Sequence, residues 1–186
     1  MRRLISVFLL LACFLSGCKK DDALQRMLSL RQNLLTGKGC SFDTHVTVDY
    51  GDQLFTFSTQ CSADSNGTVE FVITDPETLA GINGKIDSEN GHLSFDEKVI
   101  IFDLLVDGEI SPIATPWLLV KTILGGYITA GGADGEYYIF QVDDSYEEDP
   151  LRLDIWLDNS NLPVAADIIW NGRRVAAITI ENFCVL

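Results

Sequence analysis

Residues 111–126 read SPIATPWLLVKTILGG, and the rest of the predicted fold is arranged around this stretch. Ser111 is a residue type that caps helix N-termini, and Pro112 suits a first turn, where a missing N–H costs little. Gly125-Gly126 supplies the stop signal. The residues between them are apolar on most sides of the predicted helix: Trp117, Leu118, Val120, Ile123 and Leu124. We therefore expect a helix that is buried on more than one face.

Short antiparallel strands are predicted before this helix. Residues 42–50 alternate apolar and polar side chains, which is typical of a half-buried strand. Residues 54–61 return after a turn at Gly51-Asp52, and Asn66-Gly67 leads into a third strand over 69–73. Further short strands are expected near 81–87, 92–95 and 99–105.

A second antiparallel run is predicted after the helix. Its four strands cover residues 136–142, 151–157, 164–170 and 174–180. At the start of the chain, residues 21–35 have the spacing of an amphipathic helix that stops before Gly37. The predicted class is α+β: a curved antiparallel sheet, an incomplete barrel, wrapped around the central apolar helix, with an N-terminal amphipathic helix.

The first residues have the composition of an export signal. Met1-Arg2-Arg3 is followed by an apolar run over residues 4–15, which is too short to span a bilayer, since about 20 residues are needed. The sequence Leu15-Ser16-Gly17-Cys18 resembles the bacterial lipobox. That resemblance implies removal of residues 1–17, a lipid on Cys18, a short tether over 18–22 and one domain over 23–186. The alternative is an ordinary signal peptide with an incidental cysteine.

The charge excludes some classes of partner. The 186 residues contain 13 Lys+Arg against 27 Asp+Glu, a net charge of −14, and 47% of them are apolar. Loss of Arg2 and Arg3 with the signal would change this charge to −16. Nucleic acid is excluded as a partner because phosphate binding needs clustered basic residues. We expect attachment to the extracytoplasmic face of the cell membrane through acyl chains on Cys18.

Three cysteines remain after this processing: Cys40, Cys61 and Cys184. Cys40 and Cys61 begin and end a predicted hairpin, so they are either a disulfide pair or two free thiols. No C-x-x-C pair is present, and His45 and His92 stand alone in the sequence, so no metal site is expected.

The sequence carries no motif of catalytic chemistry: it contains no G-x-S-x-G, H-E-x-x-H or Walker loop. We predict a protein that is not an enzyme and has no cofactor. One acidic cluster is either a calcium ligand set or, as its spacing favours, a solvated loop: Asp143, Asp144, Glu147, Glu148 and Asp149.

The order of elements resembles the lipoprotein-carrier family. Local sequences resemble it too: residues 74–82, TDPETLAGI, are similar to a P-x-x-L-x-G segment of clostridial lipoproteins. Residues 157–163, 170–173 and 180–183 are similar to the closing hairpins and last strand of that family. The resemblance implies an incomplete barrel that folds over helices and encloses an apolar cavity. Because the carrier itself is soluble, the lipobox favours the lipid-anchored relatives, including the germination-type lipoproteins of the clostridial envelope.

Aromatic and aliphatic side chains on the inner face are the candidate lining of such a cavity. The predicted lining residues are Phe55, Phe57, Phe71, Trp117, Leu124 and Trp170. The predicted function is binding of a lipid or other apolar ligand under the curved sheet by a membrane-anchored lipoprotein. The alternative is a protein-interaction module that docks an envelope or wall-modifying partner.

Overall fold

The computed structural model describes residues 20–87, 91–95, 98–102, 105–106 and 109–186. The predicted signal peptide and Cys18 lie outside these residues. Helix α1 covers Lys20–Thr36, a 3-10 turn covers Pro112–Ala114, and helix α2 covers Thr115–Gly125. The first eight strands are β1 Cys40–Asp49, β2 Leu54–Ala63, β3 Val69–Asp75, β4 Asn83–Ile86, β5 Gly91–Phe95, β6 Lys98–Phe102, β7 Leu105–Val106 and β8 Glu109–Ile110. The last five are β9 Tyr127–Asp134, β10 Tyr137–Asp143, β11 Arg152–Leu157, β12 Pro163–Trp170 and β13 Arg173–Val185.

Eleven of these strands form one antiparallel sheet, in the order β6-β5-β4-β3-β2-β1-β13-β12-β11-β10-β9. It consists of two meanders, β1–β6 and β9–β13, that are joined where β1 pairs with β13. The two ends of this order, β6 and β9, are not paired with each other, so the sheet is open. The predicted α+β class, with a large antiparallel sheet that does not close, is confirmed.

The sheet curves around α2. This helix contacts both β3 and β10, which are six strand spacings apart in the sheet order. In a flat sheet six spacings would separate the two strands by about 29 Å, whereas a helix with its side chains is only about 10–12 Å wide. Even the length of this 11-residue helix is only about 16 Å, so its contact with both strands favours a sheet that curves round it, as the sequence predicts.

Helix α2 is buried on most sides. Its buried residues are Thr115, Pro116, Trp117, Leu118, Leu119, Val120, Thr122 and Ile123. Lys121 is exposed and Leu124 is half-buried, and both lie on one narrow face. The prediction of a helix that is buried on more than one face is confirmed.

The predicted start of α2 is wrong. Ser111 makes no side-chain capping hydrogen bond and precedes the 3-10 turn, and the α-helix begins at Thr115. The reason is Pro116, which has no N–H to donate to the carbonyl of Pro112, four residues earlier. The backbone N–H and the hydroxyl of Thr115 donate to that carbonyl instead.

Helix α1 lies against the sheet and α2. Its buried side chains recur at helical spacing: Ala23, Met27, Leu30 and Leu34. Arg31 donates from Nε to the carbonyl of Ile123 at 2.7 Å and from Nη2 to that of Gly126 at 2.8 Å. The last carbonyls of a helix have no partner within it and carry partial negative charge, so this cation caps the C-terminus of α2.

Strand β9 is absent from the sequence-based prediction. Its residues are mostly exposed, and Gly131 and Gly132 interrupt any alternation of apolar side chains. Gly131 pairs with Phe140 of β10. A Cβ at Gly131 would lie 2.8 Å from Cδ1 of Phe140, so the glycine makes room for the buried ring.

Candidate ligand-binding cavities beside helix α2

Two cavities lie on either side of the exposed face of α2. The tryptophan cavity, of about 430 Å³, has an apolar lining of Ile110, Trp117, Leu118, Leu151 and Trp170. Its polar lining residues are Lys121, Asp144, Ser145, Glu147 and Asp149. The leucine cavity, of about 370 Å³, is lined by Leu35, Ser65, Asn66, Gly67, Trp117, Lys121, Leu124 and Gly125.

Trp117 and Lys121 contribute to both cavities and separate them. The two residues are four apart in α2, so they lie one above the other on the same face of the helix. The Lys121 ammonium lies 5.1 Å from the centroid of the Trp117 ring, within the range of a cation–π contact. Leu124 continues this face towards the β2–β3 turn and lies seven residues, about 10 Å along the helix axis, beyond Trp117. The two cavities therefore form a trough along α2 that is interrupted by one side-chain pair.

The loop over residues 144–151 forms the acidic side of the tryptophan cavity. Asp144 accepts the backbone N–H of Leu151 at Oδ1, and the backbone N–H of Asp144 donates to the Leu151 carbonyl. These bonds close the loop and fix Asp144. Asp143 is buried and paired with Arg152 at 2.9 Å, and this hydrogen bond raises the pKa of the Arg152 guanidinium.

The acidic cluster of the sequence is thus divided between two environments. Asp143 belongs to a strand and an ion pair, whereas Asp144, Glu147 and Asp149 lie along the cavity. Among the residues that the structure describes, no group of three or more His, Cys, Asp or Glu side chains is arranged to hold a metal ion.

The structure brings three of the six predicted lining residues to these two cavities. Trp117 and Trp170 line the tryptophan cavity, and Trp117 and Leu124 line the leucine cavity. Phe57 is buried in the core without lining either of them. Phe55 is 38% exposed and contacts the Tyr50 ring edge-on, with 5.7 Å between the ring centroids.

Phe71 lies elsewhere, beside a third cavity of about 550 Å³ over β2–β5. Its ring packs against Gly84, where a Cβ would come within 2.3 Å of the ring. The rest of this third cavity is lined mainly by polar side chains: Gln60, Ser62, Glu70, Asn83, Lys85, His92 and Ser94. The single apolar cavity of the sequence-based prediction is therefore replaced by two apolar compartments beside α2 and a separate polar groove.

Of the two possibilities left open for Cys40 and Cys61, a disulfide pair or two free thiols, this structure has the two free thiols. The strand register places Cys40 opposite Ala63 and Cys61 opposite Phe42. Diagonal neighbours of this kind are about 7–8 Å apart, and a disulfide needs Cα atoms within about 4.4–6.8 Å. Burial raises the pKa of both thiols to about 12. Cys184 is free and exposed.

The sequence-based prediction missed Lys121 and the cavity role of Asp144, Glu147 and Asp149. The four-residue spacing of Trp117 and Lys121 was the available signal for a shared helix face. The acidic loop gave no such signal, because its approach to α2 depends on how the sheet curves.

Comparisons with known proteins give matches in overall structure only. The sequence matches no protein-family model and no curated protein. A DUF1329 family protein from Desulfovibrio piger is 11% identical with a TM-score of 0.49, and 89% of this chain and 92% of that chain are covered. A LolA superfamily protein from Nitrosomonas europaea is 8% identical with a TM-score of 0.46, and 88% of this chain and 93% of that chain are covered. The lipoprotein LppX from Mycobacterium tuberculosis is 14% identical with a TM-score of 0.38, and 84% of this chain and 92% of that chain are covered.

All three TM-scores lie below 0.5, so these likenesses assign neither a function nor a ligand to this chain. A membrane-spanning helix is also not seen in the part of the chain that the structure describes.

Proposed function

We propose that this protein is a lipid-anchored extracytoplasmic lipoprotein that binds an apolar ligand in the trough along α2 and catalyses no reaction. The observation that carries the proposal is the pair of cavities beside Trp117, whose floors are built from tryptophan, leucine and isoleucine. Ligand sites of small molecules are typically concave and mostly apolar, with a few polar groups at defined positions.

The burial of apolar surface provides the binding free energy. Each methylene that moves from water into such a cavity contributes about 0.8 kcal/mol. Eight methylenes therefore contribute about 6.4 kcal/mol, which corresponds to a dissociation constant of about 20 μM. The cost of immobilising the ligand weakens binding further, towards about the millimolar range.

The anchor is supported by the Leu15-Ser16-Gly17-Cys18 sequence after a short apolar run. Replacement Cys18→Ala in the bacterial host should move the protein out of the membrane fraction or leave an unprocessed precursor without lipid. Metabolic labelling with a palmitate analogue checks this directly. Label that persists in Cys18→Ala contradicts the anchor.

The cavity is tested with the full chain in lipid nanodiscs, titrated with octanol by calorimetry after subtraction of empty nanodiscs. We expect saturable binding that Trp170→Ala weakens about tenfold. Trp156→Ala is the matched control, because Trp156 is also half-buried on a strand but bonds Asp134 at 2.8 Å and lines neither cavity. Equal affinities for the two variants would contradict ligand binding in the trough.

Docking of an envelope protein is the second candidate function, and the sheet edge favours it. Ile100 and Ile101 of the edge strand β6 are 63% and 66% exposed. An apolar edge strand offers unpaired backbone groups to another chain. If this edge binds a partner, Ile101→Lys should abolish co-purification of a stoichiometric protein from the membrane fraction and leave octanol binding unchanged.

A further inference from the structure

The charges around the tryptophan cavity distinguish between classes of apolar ligand. Asp144, Glu147 and Asp149 lie along one side of it, and Lys121 is the one cation among its lining residues. Among the residues that the structure describes, none of the three carboxylates has an ion-pair partner. The cavity mouth thus has three negative groups against one positive group.

Three cations that could pair with the carboxylates of loop 144–151 already make other contacts. Lys121 lies over the Trp117 ring. Arg152 is paired with Asp143, and Arg173 donates to the backbone carbonyl of Asp49. Neutralisation of Glu147 or Asp149 by these groups would require that existing contacts be broken.

Trp170 adds an aromatic surface to this cavity. Its indole lines the same cavity as the three carboxylates. No cation lies over its ring among the described residues, in contrast to Trp117. A tryptophan face attracts a quaternary ammonium or amine, and the attraction grows when the cation is partly desolvated. The cavity therefore combines an aromatic surface, unpaired carboxylates and an apolar floor.

From this arrangement we propose that the ligand is an amphiphile with a positively charged nitrogen: its apolar chain occupies the trough, and its ammonium lies between Trp170 and the carboxylates of loop 144–151. This inference rests on the proposed function, since it assigns a ligand class to the same cavity. An anionic acyl chain such as a free fatty acid is disfavoured, because its carboxylate would face three like charges and only one ammonium.

The test compares octyltrimethylammonium, octanol and octanoate, which share one chain length and differ in charge. The full chain in zwitterionic nanodiscs is titrated by calorimetry, and empty nanodiscs are subtracted. We expect octyltrimethylammonium to bind at least tenfold more tightly than octanoate, with octanol between them. The preference should fall as salt is raised, because the mouth of the cavity is open to screening ions.

Variants then test whether Glu147 and Asp149 cause the preference for the cationic probe. Glu147→Gln with Asp149→Asn should lower the affinity for octyltrimethylammonium about tenfold and leave that for octanol unchanged. Both side chains are exposed, so the fold should tolerate the change. Glu136→Gln is the charge control, because Glu136 is exposed and precedes β10, about 24 Å of strand away from Asp143.

The outcomes separate this inference from the proposed function. Equal binding of the three probes, or tighter binding of octanoate, overturns the cationic ligand and leaves the apolar cavity intact. An equal loss in the Glu136→Gln control attributes the preference to overall charge and also overturns the inference. Saturable binding of none of the probes overturns the inference and the proposed function together.

Discussion

Lys121 holds its ammonium 5.1 Å from the centroid of the Trp117 ring, and this pair divides the trough along α2 into two compartments. Without the lysine side chain the two compartments should join. The contact itself is worth about 0.5–1 kcal/mol at an exposed site, so its loss should leave the fold intact.

The first prediction follows from this division. In the native protein, affinity for alkanols should rise about fourfold per methylene until the chain fills one compartment, and then level off. In Lys121→Ala the levelling should move to longer chains. Lys38→Ala, at another exposed lysine, is the control. Titration with an alkanol series from hexanol to dodecanol measures the chain length at which the affinity levels off in the native protein and in each variant. The same chain length in Lys121→Ala as in the native protein contradicts a divided trough.

The cap on α2 gives a stability prediction. Arg31→Met removes two charge-assisted hydrogen bonds, to Ile123 and Gly126, and leaves the helix carbonyls without these donors. We expect the free energy of unfolding to fall by about 2–4 kcal/mol. Gln32→Ala, on the exposed side of α1, should change it by less than about 0.5 kcal/mol. Urea unfolding followed by tryptophan fluorescence measures the difference, and equal midpoints for the two variants would argue against the cap.

Asp154 gives a prediction about pH. Burial raises the pKa of this carboxyl, while Arg152 and Gln141 act in the opposite direction. Its Oδ1 is buried without a hydrogen-bond partner, and Asp167 lies directly opposite on β12. Because the folded pKa lies above the unfolded one, the ionised group destabilises the fold above that pKa, and the penalty disappears as pH falls below it.

Asp154→Asn should therefore raise the free energy of unfolding at neutral pH. Its advantage over the native chain should shrink as the pH falls through the carboxyl range. Asp52→Asn, at an exposed turn position, is the control for the loss of one surface charge. Unfolding curves between pH 3 and 8 measure how the stability difference between Asp154→Asn and the native chain changes with pH. A difference that grows towards low pH would contradict the effect of burying Asp154.

The three cysteines should differ in reactivity. Burial raises the pKa of Cys40 and Cys61 to about 12, so almost no thiolate is present at neutral pH, whereas Cys184 is exposed. Iodoacetamide should modify Cys184 within minutes and the other two only after unfolding, as measured by peptide mass spectrometry. Resistance of Cys40 and Cys61 to alkylation even in denaturant without reductant would reveal the disulfide that the register disfavours.

The sequence was most informative where one periodicity dominated. The alternation in β1 and the apolar character of α2 are local properties, and both elements formed as predicted. The start of α2 was mispredicted because the effect of Pro116 on Pro112, four residues earlier, outweighed the capping preference of Ser111. Strand β9 was missed because the reason for Gly131, the close packing of the Phe140 ring, is a tertiary contact that the local sequence pattern does not reveal.

The site could be predicted only in part for the same reason. Trp117 and Leu124 share a helix face that the sequence spacing reveals, and Trp170 joins them through the curvature of the sheet. The approach of Glu147 and Asp149 to that face depends on a loop that has no periodicity. Phe55 and Phe71 looked equivalent to Trp170 in sequence. The structure instead places Phe55 on β2, opposite Val48 and against the Tyr50 ring, and Phe71 beside a polar groove.

Photolabelling of the full chain in nanodiscs, with an octanol analogue that carries a diazirine at its chain end, locates the bound ligand on the protein. Peptide mass spectrometry then reads where the apolar chain lies. Ligand binding along α2 predicts label within residues 117–124 and at Trp170, reduced by competing octanol. Label confined to the exposed side chains of Leu54, Ile100 and Ile101 would contradict it.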